Sequence, residues 1–196
     1  DIQFYGTVLS GAEMRRLNYV LAQTYGITSS AIARPGSLAA STVLTLTTGS
    51  SLVLNDLGQT VASLQGNGAI SNGTLTVTGT LAPGGTGAVG ALSVANLVVG
   101  ENAIYDWNYG DSVSDTVTVS GALTLPSVAT VNVSRVTGST ARLPAAGILF
   151  SSGTAIANPG ATKTWVVTGA RADTHVFVQG THVILVSQNG TLIVVE

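Results

Sequence analysis

The sequence contains no cysteine. A disulfide framework, thiolate chemistry and a cysteine-based zinc site are thereby excluded. Charge is nearly as scarce, at 8% of residues, where ordinary globular proteins carry roughly a quarter. The seven Lys and Arg are scattered from Arg15 to Arg171 and the net charge is −2. Nucleic-acid binding needs a clustered cationic footprint, and the sequence has none. Long apolar runs are also missing. Residues 183–186 and 192–195 are the longest candidates, far short of the ~20 needed to cross a bilayer, so no membrane insertion is expected.

What is present is apolar and repetitive. Hydrophobic residues make up 45% of 196 positions and the mean hydropathy is +0.45. Solubility must then rest on Ser, Thr, Asn and exposed backbone. Such a surface is poorly protected against binding to copies of itself, because mixed charge is what usually keeps proteins apart. No composition break divides the chain, so residues 1–196 are expected to form one domain. The first residue is Asp1, with no basic or apolar leader. The expectation is a mature secreted product whose signal peptide was removed before Asp1.

Residues 1–9 read as a strand containing Phe4 and Tyr5. Ser10 and Glu13 have capping-box spacing, and Met14, Leu17, Val20, Leu21 and Tyr25 follow at helical spacing up to Gly26. One short N-terminal α-helix is therefore predicted within residues 1–27. It either covers the open edge of a β-stack or packs elsewhere on the core. Strand signals begin at Val43. Leu44 and Leu46, Leu52 and Leu54, and Leu75 and Val77 alternate with other residues at a period of two. Asn55-Asp56, Gly66-Asn67-Gly68 and Asn72-Gly73 lie between them as turn formers that tolerate positive φ.

Two segments can be overlaid. Val94 matches Val119, Leu97 matches Leu123, Val99 matches Leu125, Ala103 matches Ala129, Tyr105 matches Val131 and Trp107 matches Val133. A repeat of about 20–25 residues with three short strands each suggests a parallel β-helix over residues 43–136. Leu97, Val99, Leu123 and Leu125 are assigned to its interior. Residues 143–196 read as further strands, ending in an antiparallel β-meander with turns at Gln179-Gly180 and Asn189-Gly190.

These residues carry a family resemblance. The order GTLAPGG (79–85), GALSV (90–94), SDTVTVSGALTL (114–125) and ATVNV (129–133) resembles the β-helical repeats of autotransporter passenger domains. It is most similar to the autotransporter-associated strand repeats of large secreted surface proteins in Gram-negative bacteria. LVLNDLGQTVASLQGNGAISNGTLTV (52–77) resembles the preceding repeat. The resemblance implies a right-handed parallel β-helix, secretion and a structural or adhesive role. It transfers no catalytic residues and no cofactor.

Candidates for chemistry are few. His175 and His182, with Asp173 and Ser187 nearby, are not accompanied by a nucleophile elbow, and are expected as solvent-facing strand residues. Asp106, Asn108, Asp111 and Asp115 form the densest acidic patch, but without the glycine and closing Glu of a calcium loop. They are expected to be a solvated corner. Tyr105, Trp107 and Tyr109 alternate and so share one strand face. Outward, they form a platform for a sugar or a subunit. Inward, they form a core layer, which the overlay favours for Tyr105 and Trp107. Asn72, Asn132 and Asn189 match glycosylation acceptors but are read as turn and strand residues.

The expected function is that of a secreted structural protein, not an enzyme, whose partner is itself in a filament or surface array. The candidate contacts are Phe4, Tyr5 and Val8 at one end and Leu192 and Val194 at the other. The alternative is an adhesin that binds glycans through its aromatics. A polysaccharide lyase or hydrolase ranks last, because no acid and base pair is evident.

Overall fold

The computed structural model describes residues 38–156 and 164–187, together with Glu13, Arg16, Leu17, Val20 and Thr24. Those five residues are helical, and Thr24 Oγ1 donates to the Val20 carbonyl at 2.9 Å. Phe4, Tyr5, Val8, Leu192 and Val194 lie outside the described residues, as does the Asn189-Gly190 turn.

The described chain is all-β. Its strands are β1 (Val43–Pro83), β2 (Ala91–Val99), β3 (Ile104–Gly110), β4 (Val113–Ser114), β5 (Thr116–Val119), β6 (Leu123–Thr124), β7 (Val128–Arg135), β8 (Ala146–Ser152), β9 (Thr164–Thr168), β10 (Thr174–Gln179) and β11 (His182–Ser187). They form one mixed sheet in the order β10-β11-β8-β5-β2-β1-β3-β7-β9, with β4 beside β3 and β6 beside β2. The two ends of this path, β9 and β10, meet, giving a nearly closed, barrel-like wall.

The 41 residues of β1 would reach about 135 Å if straight. Instead the strand coils on itself. A Cβ on Gly68 would lie 2.8 Å from Leu46 Cβ, and Gln65 Nε2 donates to Thr45 Oγ1 at 2.8 Å. The bends come from residues in the left-handed region: Asn55 (φ 56°), Asp56 (φ 63°), Gly66 (φ 97°) and Asn72 (φ 57°). Asn and Asp tolerate this conformation through local side-chain hydrogen bonding, and Gly because it lacks Cβ.

The parallel pairings fall into three columns. In the first, residues 68–70, 92–94, 117–119 and 150–152 lie side by side. In the second, 74–77 face 96–99, and 97–98 face 123–124. In the third, 80–81, 104–109, 130–135 and 164–168 follow one another. Partners are 24 residues apart at Gly68 and Leu92, 25 at Leu92 and Val117, and 26 at Ile104 and Thr130. The sequence overlay therefore corresponds to physical neighbours: Val94 pairs with Val119, Leu97 with Leu123, Tyr105 with Val131 and Trp107 with Val133. Leu97, Val99, Leu123 and Leu125 are all buried.

The sheet is not parallel throughout residues 43–136. Tyr109 and Gly110 pair antiparallel with Ser114 and Val113 around Asp111-Ser112, where Ser112 takes φ 64°. Beyond β7 the spacing lengthens to 33 residues at Val117 and Phe150. β8 then pairs parallel with β5 on one side and antiparallel with β11 on the other. Gln179 and His182 close the β10–β11 hairpin, with Gly180 (φ 59°) first of its two loop residues. Glycine at that position permits a turn whose twist matches the flanking strands. Of the expected meander the Gln179-Gly180 hairpin is present as β10 and β11; the third antiparallel strand is β8, from earlier in the chain, and the strand expected after Asn189-Gly190 lies outside the described residues. On the outer face of β8, β11 and β10, Phe177, Ile184 and Ile148 line up across the three strands.

Candidate functional site

The aromatic row expected on one strand face divides between core and rim. Tyr105 and Trp107 are 3% and 0% exposed, and Tyr109 is half-buried. The first two are therefore core residues and present no outward platform. Tyr105 Oη donates to the Leu149 carbonyl at 3.2 Å, and its ring meets Phe150 with centroids 5.0 Å apart. Trp107 stacks on Tyr109 at 5.8 Å. β8 fits over this layer because position 147 is glycine: a Cβ there would stand 2.6 Å from the Trp107 ring.

Beneath the aromatics lies the feature that sequence reasoning misplaced. The solvated corner expected for Asp106, Asn108, Asp111 and Asp115 holds for the exposed Asp111, but Asp115 is 0% exposed and Asn108 2%. Asp115 Oδ1 accepts from Gly90 N at 2.7 Å. Its Oδ2 accepts from Asn108 N at 2.8 Å and Asn108 Nδ2 at 3.1 Å. The Asp115 backbone carbonyl takes the Trp107 indole N–H at 2.9 Å. One carboxylate thus joins the start of one coil to the start of the next. Burial pushes its pKa up to about 7, against the lowering effect of the Asn108 and Gly90 hydrogen bonds, with Asp106 adding a smaller rise. Burial also raises the Tyr105 phenol well above its usual range, and the Asp115 charge adds to the effect. The alternating polar pattern around residue 106 gave no sign of this, because an inward acid and an outward one look alike in sequence until register is fixed.

Next to this layer is a cleft of about 540 Å³ lined by Tyr109, Arg135, Arg142, Leu143, Arg171 and Ser187 among others. Separate parts of the chain converge there. Tyr109 ends the central part of β3 and pairs in register with Arg135 at the end of β7. The loop after β7 turns back at Val136, whose carbonyl accepts from Ser139 N at 3.1 Å, and brings in Arg142. Arg171 enters from the β9–β10 turn, where Thr174 N donates to its carbonyl at 3.1 Å. Ser187 ends β11, held by its N–H on the Ala145 carbonyl at 3.0 Å.

Arg171 Nε lies 3.4 Å from Asp173 Oδ1, a charge contact without hydrogen-bond geometry. Arg135 Nη1 donates to the Ala141 carbonyl at 3.4 Å. Ser187 Oγ is buried without a hydrogen-bond partner, as is Thr174 Oγ1 directly across the strand pair. In sequence the chain's cations are scattered; in space three of the seven line one cleft.

The histidines do not join this site. His175 is exposed and packs edge-on to Phe177, while the half-buried His182 shares a 3.1 Å contact with Thr181 Oγ1. Neither His forms a triad with Ser187, whose cross-strand neighbour is Thr174. Among the described residues no group of three or more His, Asp or Glu is placed to hold a metal ion. No family model, curated protein or solved structure matches the chain.

Proposed function

We propose that the chain is a right-handed parallel β-helix of the autotransporter-associated type, closed by an antiparallel sheet, and that it is a secreted structural protein which associates with copies of itself. The first coil carries this reading. Val43 and Val53 are 58% and 49% exposed there, whereas Val61, Leu64, Leu75 and Val77 further along the same strand are at 0%. Among the described residues the sheet places no separate strand on the outer side of that coil. An open, apolar strand edge is a template for pairing with another chain. Elsewhere in the sheet β10 hydrogen-bonds to β11 alone among the described strands, and its Phe177 is 47% exposed. Contact between two different edges is heterologous and propagates unless it closes into a ring. The scarcity of charge removes the repulsion that would oppose it.

The test is a concentration series by analytical ultracentrifugation with negative-stain microscopy. Polymers or closed rings are expected for the native chain, and Val43→Lys combined with Val53→Lys should return it to monomers with unchanged circular dichroism. A monodisperse 19.6 kDa species at high concentration overturns the reading.

A further inference from the structure

We infer that the cleft at Arg135, Arg142 and Arg171 is a binding site for a carboxylate carried on a sugar-sized ring, such as a uronate unit. The convergence is the first ground. Three exposed arginines line one cleft, and a carboxylate seated among them would gain both charge attraction and paired hydrogen bonds. Asp173 engages Arg171, and among the described residues no acid pairs with Arg135 or Arg142. Among the described residues Arg142 has no hydrogen-bond or ion-pair partner. A guanidinium offers paired N–H donors that match the two oxygens of a carboxylate.

The second ground is the uncharged lining. Tyr109 and Leu143 provide an apolar wall, and the Tyr109 ring is held by its stacking on the buried Trp107. A flat ring held rigidly is suited to the apolar face of a sugar. Ser187 Oγ is buried at the edge of the same cleft without a hydrogen-bond partner. Buried hydroxyls are normally satisfied, and this one, closed off here, would be reached by a ligand hydroxyl only after a small opening of the strand end. A volume of about 540 Å³ lies within the roughly 300–1,000 Å³ usual for small-molecule sites. The site is distinct from the outer strand edges proposed for self-association. Its failure would leave that proposal standing, and the reverse also holds.

Calorimetric titration of the full chain with sodium glucuronate, sodium acetate and glucose at constant ionic strength tests the assignment. Glucuronate should saturate one site and bind about ten-fold tighter than acetate, with no measurable binding of glucose; ten-fold is the effect of one good added contact. Arg142→Gln should weaken glucuronate by about ten-fold or more, and Ser187→Ala by a smaller factor, each with an unchanged circular dichroism spectrum. Arg16→Gln, far from the cleft in sequence and outside its lining, serves as the charge control and should leave affinity unaltered. The inference is overturned if glucuronate does not saturate, if acetate or glucose binds as tightly as glucuronate, or if Arg142→Gln and Arg16→Gln have equal effects.

Discussion

The parallel coils and the antiparallel strands β8, β11 and β10 bury the same kinds of side chain but are specified differently. In the coils apolar residues sit beside equivalents 22–26 residues away, as Leu75 does beside Leu97 and Leu92 beside Val117. Side chains at the corners reinforce this: Asn96 Nδ2 donates to the Gly73 carbonyl at 3.1 Å, and its Oδ1 accepts from Ala122 N at 2.9 Å. One asparagine thereby joins three successive coils. In the antiparallel region register is instead set by a two-residue turn at Gly180 and by alternation along β10 and β11. A repeat can be read by overlaying the sequence on itself. A hairpin is read from its turn, and the long return from β7 to β8 is read from neither.

This difference can be broken at the layer where the two regions meet. Trp107→Ala removes the largest fully buried side chain and should cost about 3–5 kcal/mol in chemical denaturation. Gly147→Ala should cost about 1–3 kcal/mol in the native background, because its Cβ would press on the indole. In the Trp107→Ala background that penalty should vanish or change sign. Additive effects would show that β8 does not lean on the indole.

The next largest effect belongs to Asp115. Its folded pKa of about 7 lies above the ordinary 3.8, so between those values the folded state holds more proton than the unfolded one. The stabilising contribution is fully present below pH 4 and is lost as pH rises towards 7. The upper limit is on the order of 4 kcal/mol from a shift of this size. Unfolding free energy measured from pH 4 to 8 should fall across that window and level off above it. In Asp115→Asn the slope should disappear, while stability at pH 4 drops by about 1–3 kcal/mol, because an amide cannot accept from all three donors. A native chain whose stability rises from pH 4 to 7 would refute the assignment.

How much was legible follows from the same contrast. Period-two alternation and the overlay located the inward residues of the coils, because stacking makes equivalent positions neighbours. The fate of Tyr105 and Trp107 followed from their matches, Val131 and Val133. The Asp115 network did not follow, since two of its three donors are backbone groups of Gly90 and Asn108, which leave no mark in side-chain pattern. The arginine cleft was equally hidden. Its members come from β7, from the loop behind it and from the β9–β10 turn, and nothing in their spacing of 7 and 29 residues (Arg135, Arg142, Arg171) has a structural period.

The hairpin should yield before the coils do. Gly180→Val places a β-branched residue at φ 59° and should cost about 1–2 kcal/mol. Amide exchange should speed up across residues 174–187 while residues 92–133 keep their protection. Equal acceleration in both regions would mean that the coils depend on the hairpin and form one cooperative unit with it.

The smallest effect is expected at Glu101, whose role resembles that of Asp115 in geometry but differs in setting. Its carboxylate accepts from Ser127 N at 2.9 and 3.1 Å, from Ser127 Oγ at 2.6 Å and from Val128 N at 3.2 Å. Like Asp115 it joins consecutive coils through backbone donors. Unlike Asp115 it is exposed, so water can replace whatever a substitution removes, and charge-assisted bonds at the surface are weakened by screening. Glu101→Gln should therefore cost less than about 1 kcal/mol, and Glu101→Ala little more. A loss at Glu101 as large as at Asp115 would place the strength of these cross-coil bonds in the carboxylate itself. A small one places it in burial, and makes the protected interior around Trp107 and Asp115 the part of the stack that decides whether successive coils hold together.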